Sequence, residues 1–237
     1  MIYDLNGLRG FKIITLNGQI GIAHDFYFSP EDWKVQYLMC DAGYKMTDRI
    51  IIFYKEAILR FELENKKIFL NLTRDKIFKS PHINSDSVVT MRVRKSLHDY
   101  YGWTKYWEKE NYLQELQKEK SGSEPITNHN KIESVDGLKC TREIINEVIM
   151  ADSTELGLVK NLLMDVSNWK IVYMLIDQFK TKNEKKLVIK PNWIKSFEGT
   201  EQKIQLVKNV KKVSAGPKVK SVKDIDEAVE SKLKKEK

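Results

Sequence analysis

The chain has 237 residues, of which 41% are hydrophobic and 31% are charged, a composition typical of a folded globular protein rather than a disordered one. The net charge is +8, yet only seven of the 41 basic residues are Arg. Because the planar guanidinium of Arg is the group that best recognises DNA bases, we expect no DNA partner. The absence of an apolar run near the ~20 residues of a membrane helix, of a signal-peptide pattern and of paired Cys motifs predicts a cytoplasmic protein without membrane insertion.

The first part of the chain reads as a series of short strands. Alternating apolar and polar residues, broken by Pro, Gly and Asn, predict strands at Lys12–Leu16, Ile20–Phe28, Trp33–Asp41, Arg49–Tyr54, Arg60–Leu63 and Lys66–Leu72. We predict a type I′ hairpin turn at Asn17-Gly18 and a single helical turn, capped by Thr73, before Pro81. Six short strands in some 65 residues favour a small barrel or sandwich over a βαβ arrangement.

An aromatic segment follows, and its character differs from that of the strands. It contains Tyr100, Tyr101, Trp103, Tyr106 and Trp107. Gly102 would let the chain turn sharply there, because glycine adopts backbone angles that other residues avoid. A helix-like stretch at 108–120 and a flexible break at 121–125 then lead away from the segment.

The chain also contains an internal sequence repeat. Residues 18–81 align without a gap with residues 154–217, at a constant offset of 136. The second copy predicts strands at Val148–Met150, Glu155–Met164, Trp169–Asp177, Lys186–Ile189 and Lys203–Val207. Residues kept in both copies are expected to build the fold, and they include the pairs Gly21 and Gly157, Trp33 and Trp169, Tyr37 and Tyr173, and Asp41 and Asp177.

Several short strings match a known pattern. They are Asn17–Gly21, Asp25–Phe28, Trp33–Leu38, Asn71–Arg74, Lys79–Pro81, His98–Trp103, Lys185–Ile189 and Pro191–Ile194. In these strings the chain resembles the tandem PRC-barrel proteins, a bacterial group whose barrel is also found in the photosynthetic reaction-centre H subunit and in ribosome maturation factors. The resemblance implies a docking module rather than a catalyst. The loops at 46–48 and 208–210 depart from the family pattern.

The expected architecture is therefore all-β, with two small PRC-type β-barrels in tandem. We predict a first barrel at 1–97, a partly helical aromatic linker at 98–139, a degenerate second barrel at 140–217 and a charged tail at 218–237, either marginally helical or disordered.

No catalytic, cofactor or metal site is predicted. The four His residues and the two Cys residues fall at no metal-ligand spacing, and no glycine-rich phosphate loop is present. His24 and Asp25 are replaced in the second copy by Lys160 and Asn161, so we expect the His-Asp pair to face solvent. We expect no enzymatic activity.

Two functions are left open by the sequence. The first is a protein-binding adaptor, or a self-associating one, in which the aromatic segment either packs the barrels or forms part of an interface. The alternative is association with RNA or the ribosome through basic loops of the second barrel, whose candidate residues are Lys182, Lys185, Lys186, Lys211 and Lys212.

Overall fold

The computed structural model describes residues 1–43, 50–81, 89–108, 137–179, 185–198 and 203–225. These residues form mainly β-structure, arranged in two sheets. The strands are β1 (Ile2–Asp4), β2 (Lys12–Thr15), β3 (Gly18–Phe28), β4 (Val35–Asp41), β5 (Ile50–Tyr54), β6 (Ile58–Glu62), β7 (Lys67–Leu70), β8 (Lys139–Cys140), β9 (Val148–Ala151), β10 (Thr154–Asp165), β11 (Lys170–Gln178), β12 (Lys186–Ile189), β13 (Ile194–Glu198), β14 (Lys203–Leu206) and β15 (Lys218–Val219). The predicted strands of both copies are confirmed, with ends shifted by at most two residues.

The two sheets repeat one strand order. The first runs β5-β4-β3-β2-β7-β6, and the second contains the equivalent path β12-β11-β10-β9-β14-β13. Neighbours along each path are antiparallel, except that β2 pairs with β7, and β9 with β14, in parallel. Within the described residues neither path closes on itself by hydrogen bonding between its two ends.

Short α-helices accompany the sheets, and four of them lie wholly within the described residues. They are α1 (Arg74–Phe78), α2 (Met91–Tyr101), α3 (Thr141–Ile144) and α4 (Val210–Ser214), and 3-10 turns lie at Lys55–Ala57, Pro191–Trp193 and Val222–Ile225. The predicted cap of α1 is confirmed, because the Thr73 hydroxyl accepts a hydrogen bond from the Lys76 backbone N–H at 3.3 Å. Asn209 caps α4 in the same way, with Lys212 as the donor.

The hairpin between β2 and β3 differs from the predicted type I′ turn. Thr15 pairs directly with Gly18, so the two loop residues are Leu16 and Asn17, and neither has a positive φ. Gly18 instead carries the unusual angle, at φ 135°. The Asn17 side chain explains the shift, since its Oδ1 atom accepts a hydrogen bond from the Arg74 backbone N–H at 2.8 Å and is therefore committed to the start of α1.

The two repeated units exchange their first strands. β1 comes before the first sheet in sequence but pairs with β10 of the second sheet, whereas β8 precedes the second sheet and pairs with β3 of the first. The exchange follows the repeat residue by residue, because Tyr27 lies opposite Cys140 and the equivalent Leu163 lies opposite Asp4. Each unit is therefore completed by a strand that precedes the other unit, as in a swapped dimer, and the domain boundaries 1–97, 98–139, 140–217 and 218–237 stay a prediction.

The two units also meet at an antiparallel backbone bridge, which lies on the pseudo-two-fold axis that relates them. Lys34 and the equivalent Lys170 form an isolated antiparallel bridge. On either side, the Val35 N–H donates to the Trp169 carbonyl at 2.7 Å, and the Ile171 N–H donates to the Trp33 carbonyl at 2.8 Å. The buried apolar side chains of both units accordingly form one continuous core.

The residues repeated in both copies occupy matching positions at this junction. Trp33 contacts Phe197 of the second unit at 5.6 Å between ring centroids, and Trp169 contacts the equivalent Phe61 at 5.8 Å. Both Trp residues have left-handed backbone angles, φ 62° and 58°. The two units thus hold each other through reciprocal aromatic contacts.

The glycine that both copies share, Gly21 in the first and Gly157 in the second, lies where two strands come unusually close. A Cβ atom on Gly21 would lie 2.1 Å from the Asp41 carbonyl oxygen, and one on Gly157 would lie 2.0 Å from that of Asp177. Only glycine, which has no Cβ atom, fits where two strands lie this close together. The carboxylates of Asp41 and Asp177 themselves are exposed, so the backbone of these residues provides the contact.

Candidate functional site

The aromatic segment begins in the last turn of α2, which includes Tyr100 and Tyr101, and it lies on the first sheet. Thr90 caps the start of α2, and Gly102 ends the helix in a left-handed conformation at φ 75°. This confirms the turn predicted at Gly102. The chain then folds back, which brings the rings of the following residues against the face formed by β4 and β5.

His98 is the centre of this aromatic cluster. Its side chain is buried, and its Nε2 atom lies 2.9 Å from the Tyr37 hydroxyl. The imidazole also contacts the rings of Tyr54 and Trp107, at centroid distances of 4.6 and 4.7 Å. Burial lowers the pKa of His98 from 6.5 to about 4, because the charged imidazolium would lose its hydration. His98 is therefore neutral near pH 7.

Two further contacts fasten the segment to the same face. The Tyr106 ring stacks on Tyr54, with centroids 5.7 Å apart and planes 10° from parallel. Glu56 accepts a hydrogen bond from the Thr104 backbone N–H at 3.2 Å. Arg94, on α2, donates to the Tyr106 hydroxyl at 3.0 Å, which holds that ring in place.

The structure brings all five predicted aromatic residues onto the first unit. Tyr101, Trp103 and Trp107 are buried, whereas Tyr100 and Tyr106 are half-buried. Tyr101 stacks on Trp103 at 4.2 Å, and the Tyr100 hydroxyl donates to the Lys76 carbonyl at 2.8 Å. These contacts fit the packing alternative of the sequence analysis, and contact of these residues with a partner stays a prediction.

A cleft lies at the corresponding position of the second unit. Its volume is about 550 Å³, and Tyr173, Lys190 and Asn192 line it together with Asp32 and Trp33 of the first unit. Tyr173 is partly exposed there, although its counterpart Tyr37 is completely buried. Sequence reasoning missed this cleft. The repeat pairs the two tyrosines, but an identity in an alignment does not reveal whether a side chain is covered.

The predicted solvent exposure of Asp25 is wrong. Its carboxylate is buried and accepts hydrogen bonds from the Thr141 hydroxyl, from the Cys140 thiol at 2.6 Å and from the Arg142 backbone N–H at 3.2 Å. Arg9 forms an ion pair with it at 3.1 Å. The sequence could not show this, since the strand that covers Asp25 comes from more than 110 residues downstream.

The chemistry of this cluster is structural. Burial, followed by the nearby charge of Asp25, raises the pKa of the Cys140 thiol to about 12, so the thiol stays protonated and is a poor nucleophile. In the second unit the equivalent Asn161 donates to the Asp4 carboxylate at 2.8 Å and accepts from Lys186 at the same distance. Both polar pairs secure an exchanged strand.

The basic residues proposed for RNA binding lie apart from the cleft lining. Lys185, Lys211 and Lys212 are exposed, and Lys186 is half-buried with its ammonium bound to Asn161. Lys182 lies outside the described residues.

In the described part of the chain, no three His, Cys, Asp or Glu side chains come together as metal ligands do. Among the helices formed by those same residues, none has the length and apolar character needed to cross a bilayer. No protein-family model matches the chain, and no curated protein matches it significantly.

Proposed function

We propose that the chain is a non-enzymatic adaptor that binds protein, built from two PRC-type β-barrels that act as one rigid platform. The supporting observation is that the two units complete each other through exchanged strands and share one core, while the Tyr37 face of the first unit holds an aromatic segment of the chain. A surface that holds such a segment within its own chain has the chemistry to hold a similar segment of another protein.

The strand order supports the PRC-barrel part of this proposal. Each unit consists of short strands that are antiparallel except for one parallel pair and are followed by a single-turn helix, an arrangement compatible with a small barrel plugged at one end. The continuous core and the exchanged strands make the platform rigid, because neither unit can separate without exposing apolar surface.

Protein binding is tested with the purified, affinity-tagged full chain. Quantitative pull-down and light scattering should detect a stable partner or self-association. The proposal fails if neither appears, or if the purified protein turns over a small-molecule substrate.

RNA or ribosome association is the alternative, and the exposure of Lys185, Lys211 and Lys212 is the observation in its favour. Binding that neutralises several phosphates weakens steeply as salt is added. A mobility-shift assay with ribosomal RNA from 50 to 200 mM salt decides this alternative, since a chain that does not bind at low salt is no RNA-binding protein.

A further inference from the structure

Each unit of the fold needs a strand that lies outside its own repeat. The first unit receives β8, where Cys140 lies opposite Tyr27 of β3. The second unit receives β1, where Ile2 lies opposite Asp165 of β10. Neither unit is complete without the strand that leads into the other.

Polar side chains make both of these strand pairs specific. The buried Asp25 of β3 accepts hydrogen bonds from Cys140 and Thr141, at β8 and directly after it. Asp4 of β1 accepts a hydrogen bond from Asn161 of β10 at 2.8 Å. A unit without its exchanged strand has a strand edge and these polar groups left without partners, so a strand with the matching groups completes it best.

The same junction can form between two chains. The chain passes from the first unit to the second through residues 109–136, which lie outside the described residues. The described contacts across the junction are strand pairs, side-chain hydrogen bonds, the Lys34–Lys170 bridge and reciprocal aromatic contacts, and none of them requires that the two units belong to one chain. When the first unit of each copy pairs with the second unit of the other, all of these contacts are kept, and the assembly closes with two copies.

We propose that two copies of this chain form a strand-exchanged dimer. In this dimer, β8 of each copy completes the first unit of the other, and β1 of each copy completes the second unit of the other. The interaction surface is the junction between the units, and the partner that fits it is a second copy of the chain. The dimer goes beyond the adaptor function, because it carries two copies of every binding surface.

Concentration decides between the monomer and the dimer. Within one chain, the covalent connection holds the two units at an effective concentration on the order of 1 mM. Chains that fold near this concentration therefore pair with one another about as readily as they close on themselves. Once formed, the dimer persists on dilution, because separating the units exposes their continuous core.

The first experiment compares two refolding concentrations. The full chain is unfolded in urea, refolded at about 1 mM or at about 1 µM, and then measured by light scattering at one common dilution. We expect a species of twice the 27.8 kDa chain mass from the concentrated sample and the monomer from the dilute one.

Disulfide trapping then shows whether the strands of this dimer are exchanged. Residues opposite each other on antiparallel strands have Cα atoms about 4.5–5.5 Å apart, within the range that a disulfide spans. In Tyr27→Cys, oxidised glutathione should join the new thiol to Cys140, between chains in the dimer and within one chain in the monomer. A non-reducing gel distinguishes the two products.

A second pair and a matched control use the Cys140→Ser background. Ile2→Cys with Asp165→Cys tests the exchange of β1 in the same way. Lys12→Cys with Ile22→Cys is the control, because β2 and β3 belong to one unit and their disulfide should never link two chains.

Three results overturn the inference. The first is the absence of a dimer after refolding at about 1 mM. The second is a dimer whose chains neither exchanged-strand pair links, and the third is failure of both pairs to oxidise even in the monomer, which contradicts the exchange itself. If the chain stays monomeric but retains a protein partner in a pull-down, the exchanged dimer fails while the adaptor function stands.

Discussion

Replacing Asp25 with alanine should release the exchanged strand β8 from the first sheet. The carboxylate is buried, pairs with Arg9 and accepts hydrogen bonds from three consecutive residues, Cys140, Thr141 and Arg142. Its removal leaves the Arg9 guanidinium and the Thr141 hydroxyl beside an apolar methyl group. Both groups then lose a partner without regaining water.

The magnitude follows from this loss. Removing one member of a buried ion pair typically costs about 3–5 kcal/mol, because the remaining charge is left uncompensated. Asp25→Asn should cost less, since an amide oxygen still accepts from Thr141, and asparagine already stands at the equivalent position 161. We expect the order of stability to be wild type, then Asp25→Asn, then Asp25→Ala.

The assay is urea unfolding followed by tryptophan fluorescence, combined with amide hydrogen exchange across residues 139–144. Asp99→Ala is the matched control, because Asp99 is exposed and solvent screens its ion pair with Lys105, so its loss should change stability little. Exchange should accelerate at 139–144 in Asp25→Ala alone. A loss below about 1 kcal/mol, with unchanged protection of that segment, would refute the reasoning.

Three further predictions concern stability. Gly157→Ala should lower the melting temperature strongly in a thermal scan, because its Cβ would lie 2.0 Å from the Asp177 carbonyl oxygen, and a change of under 2 °C would contradict the close approach. Tyr37→Phe should cost about 1–3 kcal/mol in urea unfolding by leaving the buried His98 Nε2 without its hydroxyl partner, whereas Tyr173→Phe should cost clearly less; equal costs would argue against the different burial of the two positions. The pKa of His98 lies near 6.5 in the unfolded chain and about 4 in the folded one. As the pH falls, the unfolded state therefore binds the proton first, and up to about 3 kcal/mol of stability should be lost between pH 6.5 and 4. Unfolding measured across that pH range should show this loss in the wild type but not in His98→Gln, and parallel pH profiles would contradict the prediction.

Local patterns were sufficient to predict most strands of this fold, but not β1, β8, β13 and β15 or the helix α2. Strand alternation, the Thr73 cap and the Gly102 turn each depend on neighbouring residues, and each was confirmed. The prediction of a type I′ turn at Asn17-Gly18 was wrong. The Asn17 side chain binds the backbone at the start of α1, 57 residues away in sequence, and dipeptide preferences do not include such a distant contact.

The candidate site was harder to predict because it depends on contacts that are distant in sequence. The repeat identified Tyr37 and Tyr173 as equivalent, but not that Tyr37 is completely buried beside an aromatic segment while Tyr173 is partly exposed. Asp25 is similar: its partners come from the exchanged strand β8, and a repeat alignment that begins at residue 18 does not contain either exchanged strand. Long-range pairing of this kind is specified by the whole core rather than by any local motif.

The most direct test of the protein-binding function is photo-crosslinking in cells that express the full chain. A benzophenone amino acid would replace the half-buried Tyr100 of the aromatic segment in one variant and the exposed Leu59 in the control. We predict that the Tyr100 variant captures a protein partner and that the Leu59 variant does not. Equal capture at both positions, or no capture at either, would contradict the account.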